Sequence, residues 1–494
     1  MKRLTTTLFC LSLLTSALAT EKPLRQAQGR PNILWIVVED MSCHFGYQGE
    51  KLVHTPNVDK LAGEGVVFEN AYVAAPVCSA SRSGMITGMY QTSIGAHNHR
   101  SSRGAHKIQL PKGIKTIPEI FKANGYYTCN SQENPKRYGK EDYNFVYSRK
   151  KLYDAPGWSK RANGQPFFAQ IQLRGGKLRN VEKWNDEVNR AIPEHLVSPD
   201  EVTLPPYYPD CAEYRKDWAE YLNSVTFTDL EVGKIIKRLK TEKLLDNTVI
   251  FFITDHGISQ ARGKQFLYDE GARIPFIVWA PKHLKPQVKE ELIAHIDMAA
   301  TSLEFAGIKI PETMDAKPLF NENHQPREFV VTARDRCDET VDHIRSVRKG
   351  NLKYIKNYLP NRPYLQPCDY KDTKPWMQKL RQLDQQGKLN AAQKIVTAQT
   401  RPTEELYDLS ADPFEINNLA ADKAYASKLE ELRTLLSGWV KDTGDQGISP
   451  ESEESYGSSM AAYLSGFIRR KDTEKVQSIE ANIAVMKKWA SEGK

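Results

Sequence analysis

The chain has 494 residues, 40% hydrophobic and 26% charged, a balance that excludes a largely disordered or membrane-embedded protein and suits one large globular domain with a smaller one attached. Its formal net charge of +8 is spread along the length rather than massed in one block. With no zinc-finger spacing, basic-zipper pattern or RNA-binding signature beside it, that excess excludes nucleic acid as the expected partner and suits anionic ligands of other kinds.

In chain order, MKRLTTTLFCLSLLTSALAT reads as a secretory signal peptide over residues 1–19: a basic start, an apolar run over 8–18, and Ala17-Leu18-Ala19 as a small-residue cleavage site. The run is too short to span a bilayer, and no later stretch is long enough. The expectation is export without a membrane span, to the periplasm or the medium. Residues 20–30 form a polar leader. Beyond Cys10 there are only Cys43, Cys78, Cys129, Cys211, Cys337 and Cys368, too few and too scattered for a disulfide framework.

NILWIVV, over 32–38, is a continuous apolar run rich in β-branched residues, the pattern of a strand buried on both faces, and it stops at Glu39-Asp40. A helix over 58–64 and a strand near 66–73 follow. After Cys78, the small and polar residues preceding Met85 and Ile86 look like a helix N-terminus. PFFAQIQL (166–173) is a further strand. A long helix over 213–240 carries Trp218, Leu222, Val225, Leu230 and Ile235 among its apolar positions. NTVIFFITDHG repeats the first pattern, a buried strand over 248–254 ending in Asp255-His256, and IPFIVWAP supplies one more.

Strands alternating with helices predict an α/β fold around a large, mostly parallel sheet covered on both faces, with functional groups beyond the carboxyl ends of its strands. From about residue 328 the texture changes. IRSVRKGNLKYIKNYL reads as a hairpin turning at Lys349-Gly350-Asn351, which suits a smaller antiparallel sheet, and ELYDLSADPFEINNLA reads as a loop. From about residue 450 a polar tail leads to a helix over 473–490. The predicted division is a catalytic domain over 31–327, a C-terminal α+β subdomain over 328–450 and the tail over 451–494.

Glu39-Asp40 alone would be a solvated turn or a helix cap, and so would Asp255-His256. Together they end two buried strands of one sheet. Three carboxylates and an imidazole at one rim repel each other unless a cation lies among them. The oxygen-rich set argues for calcium or magnesium, while the histidine pulls toward zinc or manganese. Cys78 has a bland reading as a small, half-buried hydrophobe. A helix N-terminus with Arg82 one turn on would instead depress its thiol pKa or hold an anionic substrate group. A cysteine hydrolase would need a base, for which His97, His99 and His256 are available without any specific Cys-His signature.

CSASR resembles the sulfatase signature, Cys-x-Pro/Ala-x-Arg. TPNVDKLAGEGVVFENAY, MITGMY, FFITDHG, GKQFLYDEGARIPFIVWAP and ELYDLSADPFEINNLA resemble the family's flanking motifs, in the family's order, over about 31–420. On these residues the chain is identified as a member of the type I, formylglycine-dependent sulfatases, and it resembles the bacterial heparan N-sulfatase-like, polysaccharide sulfatase branch. The resemblance implies an alkaline-phosphatase-like fold and oxidation of Cys78 to formylglycine by a formylglycine-generating enzyme. It also implies hydrolysis of sulfate esters or N-sulfates on sulfated oligo- or polysaccharides. One hydroxyl of the hydrated aldehyde would attack sulfur to give a covalent sulfated enzyme, and the other would then expel sulfate.

By the same resemblance Glu39, Asp40, Asp255 and His256 match the ligands of a calcium ion, with magnesium as the alternative and residue 78 completing the shell. Arg82 matches the arginine that steadies the modified residue, and Lys264 the lysine that contacts sulfate. There are departures. Glu39 stands where many relatives have aspartate. RYGKEDYNF replaces the usual GKWH and leaves Lys140, and RGGKLR places Lys177 where a histidine often follows. The leaving-group acid therefore lies among Lys177, His99 and Lys140. The segments 95–103 and 333–342 offer His97, Arg100, Asp335, Arg336 and Asp338 to sugar hydroxyls and acidic sugars, or else form a salt-bridged domain contact. The rival readings are a phosphonate or phosphodiester hydrolase of the same superfamily, a non-catalytic glycan-binding member and a thiol-dependent hydrolase.

Overall fold

A computed structural model describes residues 29–494; the expected signal peptide, Cys10 and nearly all of the leader lie outside the described residues. The large sheet has seven strands: β1 (Asn32–Val38), β2 (Val66–Tyr72), β3 (Tyr127–Ser131), β4 (Phe167–Leu173), β5 (Thr248–Thr254), β6 (Phe276–Trp279) and β7 (Gln287–Ala294), in the order β3-β4-β1-β5-β6-β2-β7. β1 lies between β4 and β5 and pairs in parallel with both, Val38 standing opposite Leu173 and Thr254. These three strands therefore end level, and whatever follows each of them meets at one rim.

Alternate residues of the buried strands feed two cores. Ile33, Trp35, Val37, Phe251 and Ile253 face one layer; Leu34, Ile36, Val38, Ile250 and Phe252 face the other, where helix α3 (Ala212–Thr241) packs Trp218, Leu222 and Val225 against them. That division is why the sequence shows a continuous apolar run and no alternation. Each large side chain so buried contributes roughly 1.5–3 kcal/mol. Two earlier helices lie on this frame, α1 (Pro56–Glu64) and α2 (Cys78–Thr87). β6 runs antiparallel to both its neighbours within the mostly parallel sheet. Its connection from β5 holds only the helical turn Asp269–Ala272, so the chain stays at the rim it has reached and must re-enter the sheet in the opposite direction.

The second sheet is antiparallel, in the order β11-β10-β9-β8, from β8 (Val330–Arg334), β9 (Ile344–Lys349), β10 (Leu352–Asn357) and β11 (Glu404–Asp408). Gly350, at φ +55°, makes the β9–β10 turn where the sequence places it. β11 is the start of the segment expected to be a loop; Leu406 and Tyr407 are both buried, one on each face, and carry it into the sheet. The sheets are tied by Ala333 N–H donating to Ala74 O (2.9 Å) and Thr332 Oγ1 to Val73 O (2.8 Å).

The expected polar tail is a pair of helices, α4 (Glu453–Arg470) and α5 (Thr473–Ser491), capped by Ser452 and Asp472. Tyr456, Met460, Ile479 and Met486 are its buried anchors, few enough to leave the composition polar. The pair packs against both segments predicted to line the pocket: Ser459 Oγ donates to Ser101 O (3.3 Å) and Tyr456 OH to Glu339 O (2.9 Å). Among the described residues no helix is long and apolar enough to cross a membrane, and the six cysteines are free thiols.

Asp342 accepts from both terminal nitrogens of Arg401 (2.9 and 3.0 Å) and lies 3.1 Å from Arg334 inside the smaller domain. Burial would raise its pKa, but Arg401 and then Arg334 outweigh it and hold the carboxyl near 2. A depressed carboxylate stabilises the fold above its unfolded pKa, near 4, and loses that contribution as pH falls toward 2. Unfolding by urea at pH 7 and pH 3 should show a loss of roughly 1 kcal/mol from this group that is absent in Asp342→Asn, itself less stable at pH 7.

Candidate active site

Cys78 is the first residue of α2 and only 2% exposed. Val77 enters in an extended conformation, so the helix begins with its free N–H groups at the rim where β1 and β5 end. The Cys78 Sγ lies 3.1 Å from His256 Nε2, 3.3 Å from Lys264 Nζ and 4.0 Å from Asp40 Oδ1. His256 Nε2 is 3.4 Å from Asp40 Oδ1 and 3.7 Å from Asp255 Oδ1, while its Nδ1 is 2.9 Å from Gly257 O. Lys264 Nζ is also 3.4 Å from Asp40 Oδ2. Arg82, fully buried one turn along α2, donates through Nε to Asp255 Oδ2 (3.1 Å) and through Nη1 to Gln172 Oε1 (2.7 Å).

Electrostatics follow from this crowding. Burial pushes the Cys78 thiol up, but Lys140, Lys264 and His256 outweigh it and bring it to about 7. Burial likewise opposes ionisation of Asp40, yet Lys264 and then His256 hold its carboxyl below the usual range. Burial lowers the His256 pKa less than Asp255 and Cys78 raise it, so the net direction is upward. Burial, then the charge of Lys264, pull Lys177 down to about 7. For His99 burial dominates and leaves a neutral imidazole with a pKa of about 3.

Ligand atoms of Asp40, Asp255, His256 and Cys78 lie within 4.8 Å of one another. Two carboxylates, an imidazole nitrogen and the side chain at position 78, all buried, are a donor set that fits a hard or borderline divalent cation. Glu39, also an expected ligand, lies outside this cluster; its carboxylate meets Lys177, Lys140 Nζ (3.0 Å) and Arg82 Nη2 (3.6 Å).

The Glu39-Asp40 corner is moulded by the turn after β4. Gly175 has φ +51°, and a Cβ on Gly176 would stand 2.1 Å from Asp40 O. Asp40 itself sits at φ +53°. Gly176→Ala should therefore cost about 1–3 kcal/mol and displace Asp40. Thermal unfolding and turnover should fall together, while an alanine at Gly438, where the added carbon meets nothing and φ is not left-handed, leaves both unchanged.

Of the expected pocket residues, Arg100 and Asp338 stand beside the site. Arg100 donates to Ser79 Oγ through its backbone N–H (3.0 Å) and forks onto Asp142 (2.9 Å twice), and Asp338, against burial, is held below the usual carboxylate range with the cations Arg100 and Lys264 beside it. Two others are engaged in ion pairs of the smaller domain and the tail. Asp335 pairs with Arg345 (3.1 Å), which also holds Asp445, and Arg336 pairs with Glu451 (2.5 Å). His97 lies with that group, its nearest charges being Asp335, Arg345, Asp445 and Glu451. Their ion pairs explain the dense Asp/Arg pattern without a ligand.

Two site residues escape sequence reasoning. Tyr370 OH lies 3.3 Å from Asp40 Oδ2, brought from the smaller domain by the helical turn Asp369–Asp372, whose sequence has no distinguishing pattern. Gln172 did leave a signal, being a polar residue inside an otherwise apolar strand.

Comparison with known proteins agrees with this geometry. The family model described as Sulfatase matches residues 31–308, and one described as N-sulphoglucosamine sulphohydrolase, C-terminal, matches 256–362. An ulvan-active sulfatase of Formosa agariphila is 34% identical over 465 residues, covering 86% of this chain and 77% of that protein. The N-sulphoglucosamine sulphohydrolase of Homo sapiens is 24% identical, covering 85% and 92%. A solved structure in complex with its substrate D-glucosamine-2-N,6-O-disulfate superposes with a TM-score of 0.58 at 18% identity, covering 85% of this chain and all of the other.

Proposed function

The chain belongs to the sulfatase family and is a sulfuric ester hydrolase; on that premise we propose that it removes sulfate from sulfated oligo- or polysaccharides outside the cytoplasm, using Cys78 matured to formylglycine. The observation that carries this is the buried constellation at the start of α2, where residue 78, Asp40, Asp255, His256 and Lys264 converge. The substrate class is supported by the relatives, named for ulvan and for N-sulphoglucosamine, and by the cations at the site.

Asp40, Asp255 and His256 would hold a divalent cation, calcium or magnesium. When bound it supplies Lewis acidity that eases ionisation of a hydroxyl on residue 78. Arg82 fixes Asp255 from behind and keeps the rim rigid. Lys264 stands where it neutralises charge growing on the sulfuryl oxygens, a preorganised stabilisation. Lys140 and Lys177 converge on Glu39. Of the candidate acids Lys177 is the one suited to proton donation, because with a pKa of about 7 it carries a transferable proton at neutral pH, whereas His99, at about 3, does not. The leaving alcohol takes its proton from Lys177, and Glu39 holds that ammonium in place.

The acid must be protonated, so turnover should decline as pH rises through the pKa of the Lys177–Glu39 pair, which burial and Lys264 bring down from the ordinary lysine value. Lys177→Gln should lose that alkaline limb and lower kcat about 10²–10⁴-fold on a sugar sulfate, with a smaller loss on an aryl sulfate whose phenolate leaves unaided. Equal losses on both substrates would remove Lys177 from the role. The reading as a whole is tested by peptide mass spectrometry across 77–82, on protein from a host shown to convert a control sulfatase, together with sulfate release from defined sulfated oligosaccharides. An aldehyde at position 78 and release from at least one glycan are the expected results. An unmodified thiol, inactivation by alkylating agents, or faster cleavage of aryl phosphodiesters than of aryl sulfates would each overturn it.

A further inference from the structure

We propose that His99, Cys337 and Asp338 form a second metal site, separate from the Asp40–Asp255–His256 cluster, for one borderline divalent cation of the zinc class. His99 Nδ1 is 3.3 Å from Cys337 Sγ, and ligand atoms of all three residues lie within 4.8 Å of one another. That is the spacing of donors around one small ion. Neither family motif nor mechanism uses Cys337.

Several features prepare the site. The Gln265 amide nitrogen donates to Cys337 Sγ at 3.1 Å and also reaches Cys368 Sγ at 3.6 Å, placing a second sulfur nearby. Gln265 holds this position at φ +79°, a backbone conformation that a non-glycine residue adopts only when its surroundings impose it. Asp338 is also left-handed, at φ +49°, in a turn closed by reciprocal 3.0 Å bonds between Cys337 and Thr340. His99 N–H donates to Arg336 O (2.9 Å), so the backbones bearing the three ligands are clamped together before any ion arrives. His99 is only 3% exposed, and its Nε2 has no hydrogen-bond partner.

The donor chemistry selects the ion. Thiolate and imidazole suit zinc and its transition-metal neighbours, while calcium and magnesium prefer all-oxygen shells. One thiolate and one carboxylate balance the charge of a divalent ion. The nearest cations are already engaged, Lys264 by Asp40 and Arg100 by Asp142. Binding replaces the Cys337 S–H bond by a sulfur–metal bond and releases one proton to water. Affinity should accordingly rise with pH. The ion would tie segment 95–103 to the 337–340 turn along one wall of the pocket.

The test uses the full chain carrying Cys78→Ala, so that no thiol remains in the first cluster, and reads metal binding only. In excess calcium, equilibrium dialysis against chelator-buffered zinc should retain one equivalent, and cobalt in its place should give a near-ultraviolet thiolate charge-transfer band. Adding Cys337→Ser should abolish the band and weaken zinc binding more than about tenfold, with metal-free thermal unfolding as the folding control. Should that variant unfold, Asp338→Asn supplies the second measurement, expected to keep the band while weakening zinc. No stoichiometric zinc, a band that survives Cys337→Ser, zinc affinity unmoved by Asp338→Asn, or a Cys337–Cys368 disulfide in non-reducing peptide maps would overturn the site. None of these outcomes bears on sulfate hydrolysis, which is read separately.

Discussion

Cys78→Ala should lower turnover on every sulfated substrate by at least about 10⁴-fold while leaving the protein folded and able to bind glycan. The side chain is small and buried at the first position of α2, so alanine leaves the helix start intact and removes only the atom on which His256, Lys264 and Asp40 converge. Cys78→Ser sharpens the test. It retains one hydroxyl but cannot become an aldehyde hydrate, so it should fail to turn over even though a simple serine nucleophile would suffice for an ordinary esterase. Initial rates by sulfate release, with glycan binding measured in parallel, check both variants. Full activity in the serine variant would remove the aldehyde from the mechanism; turnover in the alanine variant would remove residue 78 altogether.

The second large effect belongs to Arg82. Its guanidinium is wholly enclosed and faces the Asp255 and Glu39 carboxylates and the Gln172 amide. Arg82→Leu is close in bulk but strands those carboxylates out of water, and breaking a buried pair from one side typically costs about 3–5 kcal/mol. Arg82→Lys restores the charge without the fork and should recover part of the stability but little of the activity, because a single ammonium cannot hold Asp255 and Gln172 at once. Urea unfolding with kcat on the same preparations separates the two. If the lysine variant is as active as the parent, Arg82 contributes charge alone and its geometry is incidental.

How much of this was written in the chain depends on range. NILWIVV and NTVIFFIT announced their strands because residues buried on both faces leave an unbroken apolar run, and the pairs ending them announced the rim. The motif around Cys78 carried its own chemistry. What stayed hidden was set by partners distant in sequence. That Lys140 and Lys177 meet on Glu39 is one such case. Asp335 and Arg336 read as pocket residues because an Asp-Arg-rich loop looks the same whether it faces a sugar or another helix; only Arg345 and Glu451 decide. β6 reversed for a topological reason that no local pattern expresses. The helices of the polar tail were half legible: the second was expected, but the buried anchors of the first were too sparse to suggest docking.

That docking has a consequence for how the enzyme is made. α4 and α5 lie far along the chain, yet they brace segment 95–103 through Ser459, the turn after β8 through Tyr456, and the helical turn at Asp369 through Lys475 (2.8 Å). A chain cut short before residue 451 would contain every group of the active centre and still leave the wall beside it unsupported. Molecules cut there would be complete in chemistry but slack in shape.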